Sequence, residues 1–488
     1  IPCIAVFTSG QPHPKDKLCK FINFEDDGYK VSPHIGLLET ESTKDKKQHL
    51  LDVWFDRIES PTKFCVKTTV CAQDEWLHSF YYFNDEIPTE KDFEKTVGDY
   101  LTFEFSMIMQ GRKYLFEKDE KNSDDVKKNF KSELEGRDWK EFRIGELFDI
   151  NRGNSKNLTE LNQNGKIAVI SASDKNNGCL KFSEPLDKEN VFSKSITVNN
   201  NGSIGFTYYH FYNFIASSDV SVLSCKQTLS EYLARFFCSQ IKGQGDKYHY
   251  GYKMSNNRLK NQIILLPVTS TGKIDYDFME TFVKKIESQK ICAYKEYAKQ
   301  RLAETEFPSG TKIEKLEDKE WREFKLTEIF EIKAGKRLTK ANMKNGKRPF
   351  IGASDSNNGI TNFVSNDNVS KDKNVLGVNY NGSVVENFYH PYECIFSDDV
   401  KRFHLKNCID NKFNLLFMKT NILQQKSKFL YAYKFNEDRM KAQNIMLPTD
   451  SSGNPDYVYM ELYIKSLMHK KYADYLDFKR GEPSINVQ

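Results

Sequence analysis

No two of the ten cysteines form a C-x-x-C pair, so the ligand spacing of a structural zinc site is missing. Scattered cysteines without a framework suit a reducing compartment, where they serve as small buried hydrophobes. No run of 18 or more apolar residues occurs, so no membrane-spanning segment is expected. No basic-then-apolar leader opens the sequence. The expected location is the cytoplasm, with no membrane partner. There is no G-x-x-x-x-G-K-[ST] phosphate loop and no H-E-x-x-H metal pair. No residue is therefore assigned a catalytic or a metal-binding role. The first residue is Ile1, inside the apolar run IPCIAVF, and the chain is read as a piece of a longer product.

What is present is a chain of 488 residues, 29% charged and 39% hydrophobic, long enough for two to four domains with their own cores. The formal net charge is +4, unevenly spread. Residues 1–138 carry about −7, residues 139–270 about +5 and residues 321–452 about +7. Two basic blocks on a neutral frame suggest a polyanion touched twice.

The sequence also repeats itself. WKEFRIGELFDI at Trp139 returns as WREFKLTEIFEI at Trp321, and SASDKNNG (171–178) as GASDSNNG (352–359). VNNNGSIG (198–205) returns as VNYNGSVV (378–385), SSDV (217–220) as SDDV (397–400), and YGYK (250–253) as YAYK (431–434). LLP followed by GKIDYDFME returns as MLP followed by GNPDYVYME. The offset stays between 180 and 182 over about 160 residues, which only duplication of one fold unit explains.

Within each copy, short runs such as IAVISAS, SITVNN, FTYYHF and NQIILLP have strand length and β-branched or aromatic content. Asn-Gly clusters between them read as turns. LSEYLARFFCSQIK and KFNLLFMKTNILQQ read as an internal helix, so each copy is a mixed α+β domain. Each copy then ends in a helix with an apolar stripe, Phe278, Met279, Phe282, Val283, Ile286, Ile291, Ala293, Tyr294 and Tyr297 in the first and Tyr459, Met460, Tyr463, Ile464, Leu467, Met468, Tyr472, Tyr475 and Leu476 in the second. The two stripes are expected to bury against each other. Upstream, IPCIAVF reads as a strand, CKFINFEDDGYKVS as two strands about an Asp-Asp-Gly turn, residues 88–118 as largely helical, and residues 118–129 as a linker.

Two basic-aromatic runs carry the candidate chemistry, KYHYGYKMSNNRLK (247–260) and KSKFLYAYKFNEDRMK (426–441). Lys and Arg supply phosphate contacts, tyrosine hydroxyls donate to phosphates or bases, and arginine pairs bidentately with guanine. The candidate DNA-binding residues are Lys247, Tyr250, Tyr252, Lys253, Arg258 and Lys260 in the first copy. Their counterparts are Lys428, Tyr431, Tyr433, Lys434, Arg439 and Lys441. The competing reading makes the aromatics core and the cations solvated edges. Asn176, Asn177, Asn357 and Asn358 are further candidates, since asparagine pairs with adenine, although Asn-Asn-Gly is first a turn. Residues identical in both copies are expected to be architecture. Sequence discrimination is expected where the copies differ, at 154–166 against 336–348 and 181–195 against 361–375. NPDY (454–457) looks like an adenine-holding Asn-Pro-Pro-Tyr loop, but the same slot in the first copy is KIDY. Asp275 and Asp456 are therefore read as helix caps.

Two copies of W-[KR]-E-F-x-[IL]-x-E-[IL]-F-[DE]-I, A-S-D-x-N-N-G, N-G-S-[IV], S-D-V and [LM]-L-P, each followed by a long helix, resemble the specificity subunit of type I and type IIB-like restriction-modification systems. The resemblance covers residues 139 to about 480. It implies an α+β fold with two target-recognition domains separated by long antiparallel coiled-coil helices. Residues 1–120 resemble the C-terminal end of an adenine-N6 DNA methyltransferase, a truncated α/β remnant. The implied partition is a methyltransferase-like fragment and linker at 1–130, recognition domain one at 131–272, and spacer helix one with linker at 273–318. Recognition domain two follows at 319–453 and spacer helix two at 454–488. The implied partners are double-stranded DNA, read as a bipartite target, and methyltransferase and nuclease subunits docked through the helices. The family's S-adenosylmethionine loop and adenine loop are not found, so this chain is expected to bind no cofactor and to catalyse nothing by itself. S-adenosylmethionine is implied for the partner or for a missing methyltransferase domain. One alternative is the C-terminal half of a single-chain methyltransferase-restriction enzyme. Another, of a different class, is a duplicated module binding carbohydrate or protein.

Overall fold

The computed structural model describes residues 4–24, 26–32, 36–117, 130–155, 165–185, 190–307, 311–429 and 434–478. Two compact bodies result, residues 120–295 and residues 1–119 together with 296–488. No helix among the described residues is long and apolar enough to cross a membrane.

The N-terminal segment corrects two expectations. Residues 4–8 of the apolar opening form no strand, and Ile4 is 93% exposed, because no strand of the described chain pairs with them. β1 (Leu18–Ile22) and β2 (Tyr29–Ser32) both form, but not as a hairpin with each other. β1 pairs antiparallel with β4 (Cys65–Thr69), and β2 pairs with β3 (Gly36–Glu39). The Asp-Asp-Gly turn is held elsewhere. Asp26 and Asp27 accept from the N–H groups of Gly28 and Tyr29, and the Gly28 carbonyl accepts from the hydroxyls of Thr40 (2.6 Å) and Thr43 (2.7 Å). This ties the turn to the start of α1 (Thr43–Trp54). The helix expected over 88–118 is α2 (Glu90–Met109), opened by a Thr89–Asp92 capping box that satisfies two orphan N–H groups.

In the first copy, β5 (Asp138–Arg143) pairs with β13 (Ile263–Val268). A four-stranded antiparallel sheet has the order β10-β9-β12-β6, from β6 (Phe148–Arg152), β9 (Ser195–Asn199), β10 (Thr207–His210) and β12 (Val220–Cys225). A three-stranded sheet places β7 (Ile167–Ile170) between β8 (Cys179–Ser183) and β11 (Phe214–Ala216), the latter pair parallel. α3 (Glu231–Lys242) lays its apolar side into a core with Phe148, Ile196, Leu223, Ile264 and Leu266, while Arg235 and Lys242 face solvent. The short α4 (Asn256–Asn261) precedes β13. α5 (Tyr276–Glu304) is the long helix, 29 residues, and its Met279 and Phe282 join the same core.

The second copy repeats this plan. β14 (Trp321–Lys325) pairs with β22 (Asn444–Pro448). The sheet order β15-β21-β18-β19 uses β15 (Phe330–Ala334), β18 (Val375–Asn379), β19 (Asn387–His390) and β21 (Val400–Leu405). β16 (Asn345–Ile351) lies between β17 (Ile360–Val364) and β20 (Ile395–Phe396). α6 (Lys412–Gln424), α7 (Glu437–Ala442) and α8 (Tyr457–Asp477) follow the order of the first copy. Trp139 and Trp321 donate from the indole to the carbonyls of Leu134 and Leu316 and stack on Phe236 and Phe417 respectively.

α6 differs from α3 in one informative way. Leu416 and Leu423 stand where α3 has Arg235 and Lys242, and α6 is covered on nearly every side. The cover is α2. Phe93 packs 4.5 Å from Phe417 and 5.3 Å from Tyr463, and the Thr420 hydroxyl donates to Thr96 at 2.9 Å. Each fully buried side chain of this size contributes about 1.5–3 kcal/mol. The α8 stripe (Tyr459, Met460, Tyr463, Ile464, Leu467, Met468, Tyr472) is buried and packs on α6 and α2 of its own body. The expectation of two stripes buried on each other is thereby corrected for their first turns, while their far ends meet at Glu104 through Tyr297 and Tyr472. Each long helix starts directly behind the closing strand of its own copy, so its first turns fall on that copy's core.

Candidate nucleic-acid interface

Asp275 and Asp456 act as the sequence suggested. Each carboxylate accepts the N–H three residues on, Phe278 at 3.0 Å and Tyr459 at 2.9 Å, which caps the long helix.

The repeated asparagines all sit in turns, with Asn176, Asn177 and Asn357 exposed and Asn358 buried. Asn176, Asn177, Asn357 and Asn358 have φ of 50°, 53°, 51° and 52°, the left-handed turn conformation that asparagine tolerates. Asn357 Nδ2 donates to the Ile360 carbonyl, and Asn358, 6% exposed, donates to the Tyr389 carbonyl and the Tyr392 hydroxyl. Asn358 is therefore corrected from a DNA contact to a core turn residue, since its amide is engaged inside the protein. Asn199 and Asn379, from the N-G-S motifs, each donate to the serine carbonyl of the A-S-D loop at 3.0 Å. Asn201 and Asn381 each reach the aspartate of S-D-V. The motifs that repeat most faithfully thus bind one another.

The basic-aromatic run of the first copy is a surface. Lys247, Tyr250, Tyr252, Lys253 and Lys260 are exposed, Tyr250 by 84%. Tyr248 and Tyr252 stack with centroids 5.6 Å apart and planes 8° apart. Arg258, on α4, places its guanidinium carbon 3.8 Å from the Tyr252 ring centroid and donates Nη1 to the Lys253 carbonyl at 2.7 Å. The Lys253 ammonium lies 5.4 Å from the Tyr250 ring. Tyr248 is anchored from below, its hydroxyl donating to Gln262 Oε1 at 2.7 Å. A fixed arginine over stacked aromatics can present paired N–H donors to phosphate or to a base edge.

The second copy keeps part of this. Lys434 and Lys441 are exposed, and Lys441 pairs with Glu437 at 3.0 Å. Tyr431 and Tyr433 lie outside the described residues. Lys428 is a correction. It is 6% exposed and donates to Gln443 Oε1 at 2.9 Å, and burial brings its ammonium down to about 8. The slot filled by the Tyr248 hydroxyl in the first copy is filled here by an amine. Arg439 repeats the backbone tether of Arg258, Nη1 to the Lys434 carbonyl at 2.8 Å, but its other edge meets Glu75 of the N-terminal segment. Sequence reasoning missed Glu75 and Asn84, which clasps Gln424 and Gln425 through three hydrogen bonds. The available signal was the apolar substitution of α6 at Leu416 and Leu423, which requires a covering partner.

Both copies are thus mixed domains closed by a strand and followed by a capped long helix, with an exposed lysine and a tethered arginine at one place in each. The family model described as the type I restriction modification DNA specificity domain matches residues 136–293 and again 318–474. The chain belongs to this restriction-modification specificity family. It is 42% identical over 334 residues to the type II restriction enzyme specificity subunit S.BcgI of Heyndrickxia coagulans, covering 67% of this chain and 94% of that relative. It is 51% identical over 121 residues to the type II restriction enzyme and methyltransferase RM.BcgI of the same organism, which is 25% of this chain and 19% of that relative. The crystal structure of a type I restriction-modification S subunit from M. genitalium covers 70% of this chain and 91% of its own at 18% identity, with a TM-score of 0.40.

Proposed function

We propose that the chain reads a bipartite duplex-DNA target, one half through each copy, and docks methyltransferase and nuclease parts. The observation that carries this reading is the recurrence of a tethered arginine beside exposed lysines at one place in both copies, Arg258 with Lys253 and Arg439 with Lys434. The partition read from the sequence is part of this proposal, including α5 and α8 as spacer helices. The chain works in the cytoplasm, holds no cofactor and is not catalytic alone. S-adenosylmethionine belongs to the methyltransferase part.

A second reading, the C-terminal half of a single-chain methyltransferase-restriction enzyme, is favoured by one observation. The 121-residue match to RM.BcgI is close in length to the segment that precedes the first family-model match at residue 136. The segment 1–130 would then be the end of an adenine-N6 methyltransferase.

Fluorescence anisotropy of the purified chain with a labelled 40-base-pair duplex, titrated at increasing KCl, tests the DNA reading. Logarithmic affinity is expected to fall linearly with logarithmic salt, as counterion release requires. Absence of salt-dependent duplex binding would favour the non-DNA module instead.

A further inference from the structure

Glu75 sits on Arg439 as a planar pair of acceptors. Its Oε1 accepts from Nε at 2.9 Å and its Oε2 from Nη2 at 3.1 Å. That two-point geometry is the one by which arginine takes a guanine edge or a phosphate. The carboxylate is held in place by its loop. Asp74 accepts from the Cys71 N–H at 2.7 Å, closing the turn, and Tyr81 donates to the Glu75 carbonyl at 2.6 Å. In the first copy Arg258 carries the same Nη1 tether and is braced by Tyr252. Its Nε and Nη2 have no protein acceptor among the described residues.

We propose that these two arginines are equivalent DNA contacts of unequal availability. Arg258 offers its Nε/Nη2 edge directly to paired acceptors on DNA, whereas Glu75 occupies that edge of Arg439 and must be displaced first. The N-terminal segment thereby weakens one half-site and leaves the other alone. This rests on the DNA reading above. The shared ligand chemistry is a pair of acceptors, either guanine O6 and N7 or two phosphate oxygens.

The test uses the full chain and a duplex that the parent selects from a random pool, with affinities read by anisotropy over a range of KCl. Arg258→Gln should weaken binding on the order of 5- to 150-fold, the worth of one bidentate pair. Arg258→Lys, which keeps the charge, should lose most of the same factor. Arg439→Gln should change affinity by less than about 3-fold while Glu75 is present. Glu75→Gln should tighten binding, and adding Arg439→Gln to it should cancel that gain. Thermal melts of every variant establish that each is folded. Replacing guanines by 7-deazaguanine reproduces the Arg258→Gln loss if the acceptors are on a base. A salt slope reduced by about one with no 7-deazaguanine effect assigns them to phosphate. Equal losses for Arg439→Gln and Arg258→Gln with Glu75 intact, or unchanged affinity in Glu75→Gln, would overturn the proposal. A parent that selects no duplex would overturn the DNA reading itself.

Discussion

Tyr472 on α8 donates its hydroxyl to Glu104 on α2 at 2.6 Å, and Tyr297 donates to the other carboxyl oxygen of Glu104 at the same distance. Glu104 is 1% exposed and both tyrosines are buried at 1%. Replacing Glu104 by Leu removes this shared acceptor from two buried phenols, at about 1–3 kcal/mol for each lost hydrogen bond. Urea unfolding should show Glu104→Leu destabilised by about 2–6 kcal/mol, with Glu104→Gln intermediate. An unchanged midpoint would mean that α2 does not hold these helices.

His404 on β21 donates from Nδ1 to the Asp410 carboxylate at 2.7 Å and from Nε2 to the Asp372 carboxylate at 3.0 Å, and Arg402 two residues away pairs with the same Asp372 at 2.9 Å. The hydrogen bonds to Asp372 and Asp410 raise His404 to about 9 from 6.5. A raised folded-state value means the stabilisation is complete below about pH 6.5 and is lost as pH rises through about 9. His404→Gln should therefore cost on the order of 1–3 kcal/mol at pH 6 and much less at pH 10. Melting temperatures of parent and variant across that range should converge at alkaline pH. A constant gap would show that the histidine is not charged in this network.

Lys253→Ala and Lys434→Ala remove exposed ammonium groups from matched positions. Each should weaken binding to all duplexes alike and lower the salt slope by about one unit. Unchanged slopes in both would return these runs to a structural role.

The full chain incubated with tritiated S-adenosylmethionine and duplex DNA should transfer no methyl group, because neither the cofactor loop nor the adenine loop is found in its sequence. Counts above a no-protein control would contradict this.

The duplication, the strand-rich plan of each copy and the helix caps were legible because they depend on local patterns, apolar periodicity and Asn-Gly turns. Strand pairing in the N-terminal segment was not, since β1 finds β4 more than forty residues away and the turn that suggested a hairpin is held by Thr40 and Thr43. The candidate site was half legible. Spacing located the arginines, but no local pattern reveals that Lys428 points inward to Gln443 or that Glu75, 364 residues earlier in the chain, occupies Arg439.

The central claim is that the copies read two half-sites held apart by the long helix. α5 has 29 residues, about 43 Å at about 1.5 Å per residue, or about a dozen base pairs of B-DNA. Ala298, toward the end of the helix, is fully buried. The exposed stretch Ser288, Gln289 and Lys290 is the site to lengthen. Four residues inserted after Gln289 add about one helical turn. Sequences selected from a random duplex pool by the parent and by this variant should share the same two unlike half-sites. The unread gap between them should be longer by about one to two base pairs in the variant. A continuous site, or a gap that ignores the insertion while binding survives, would contradict the account.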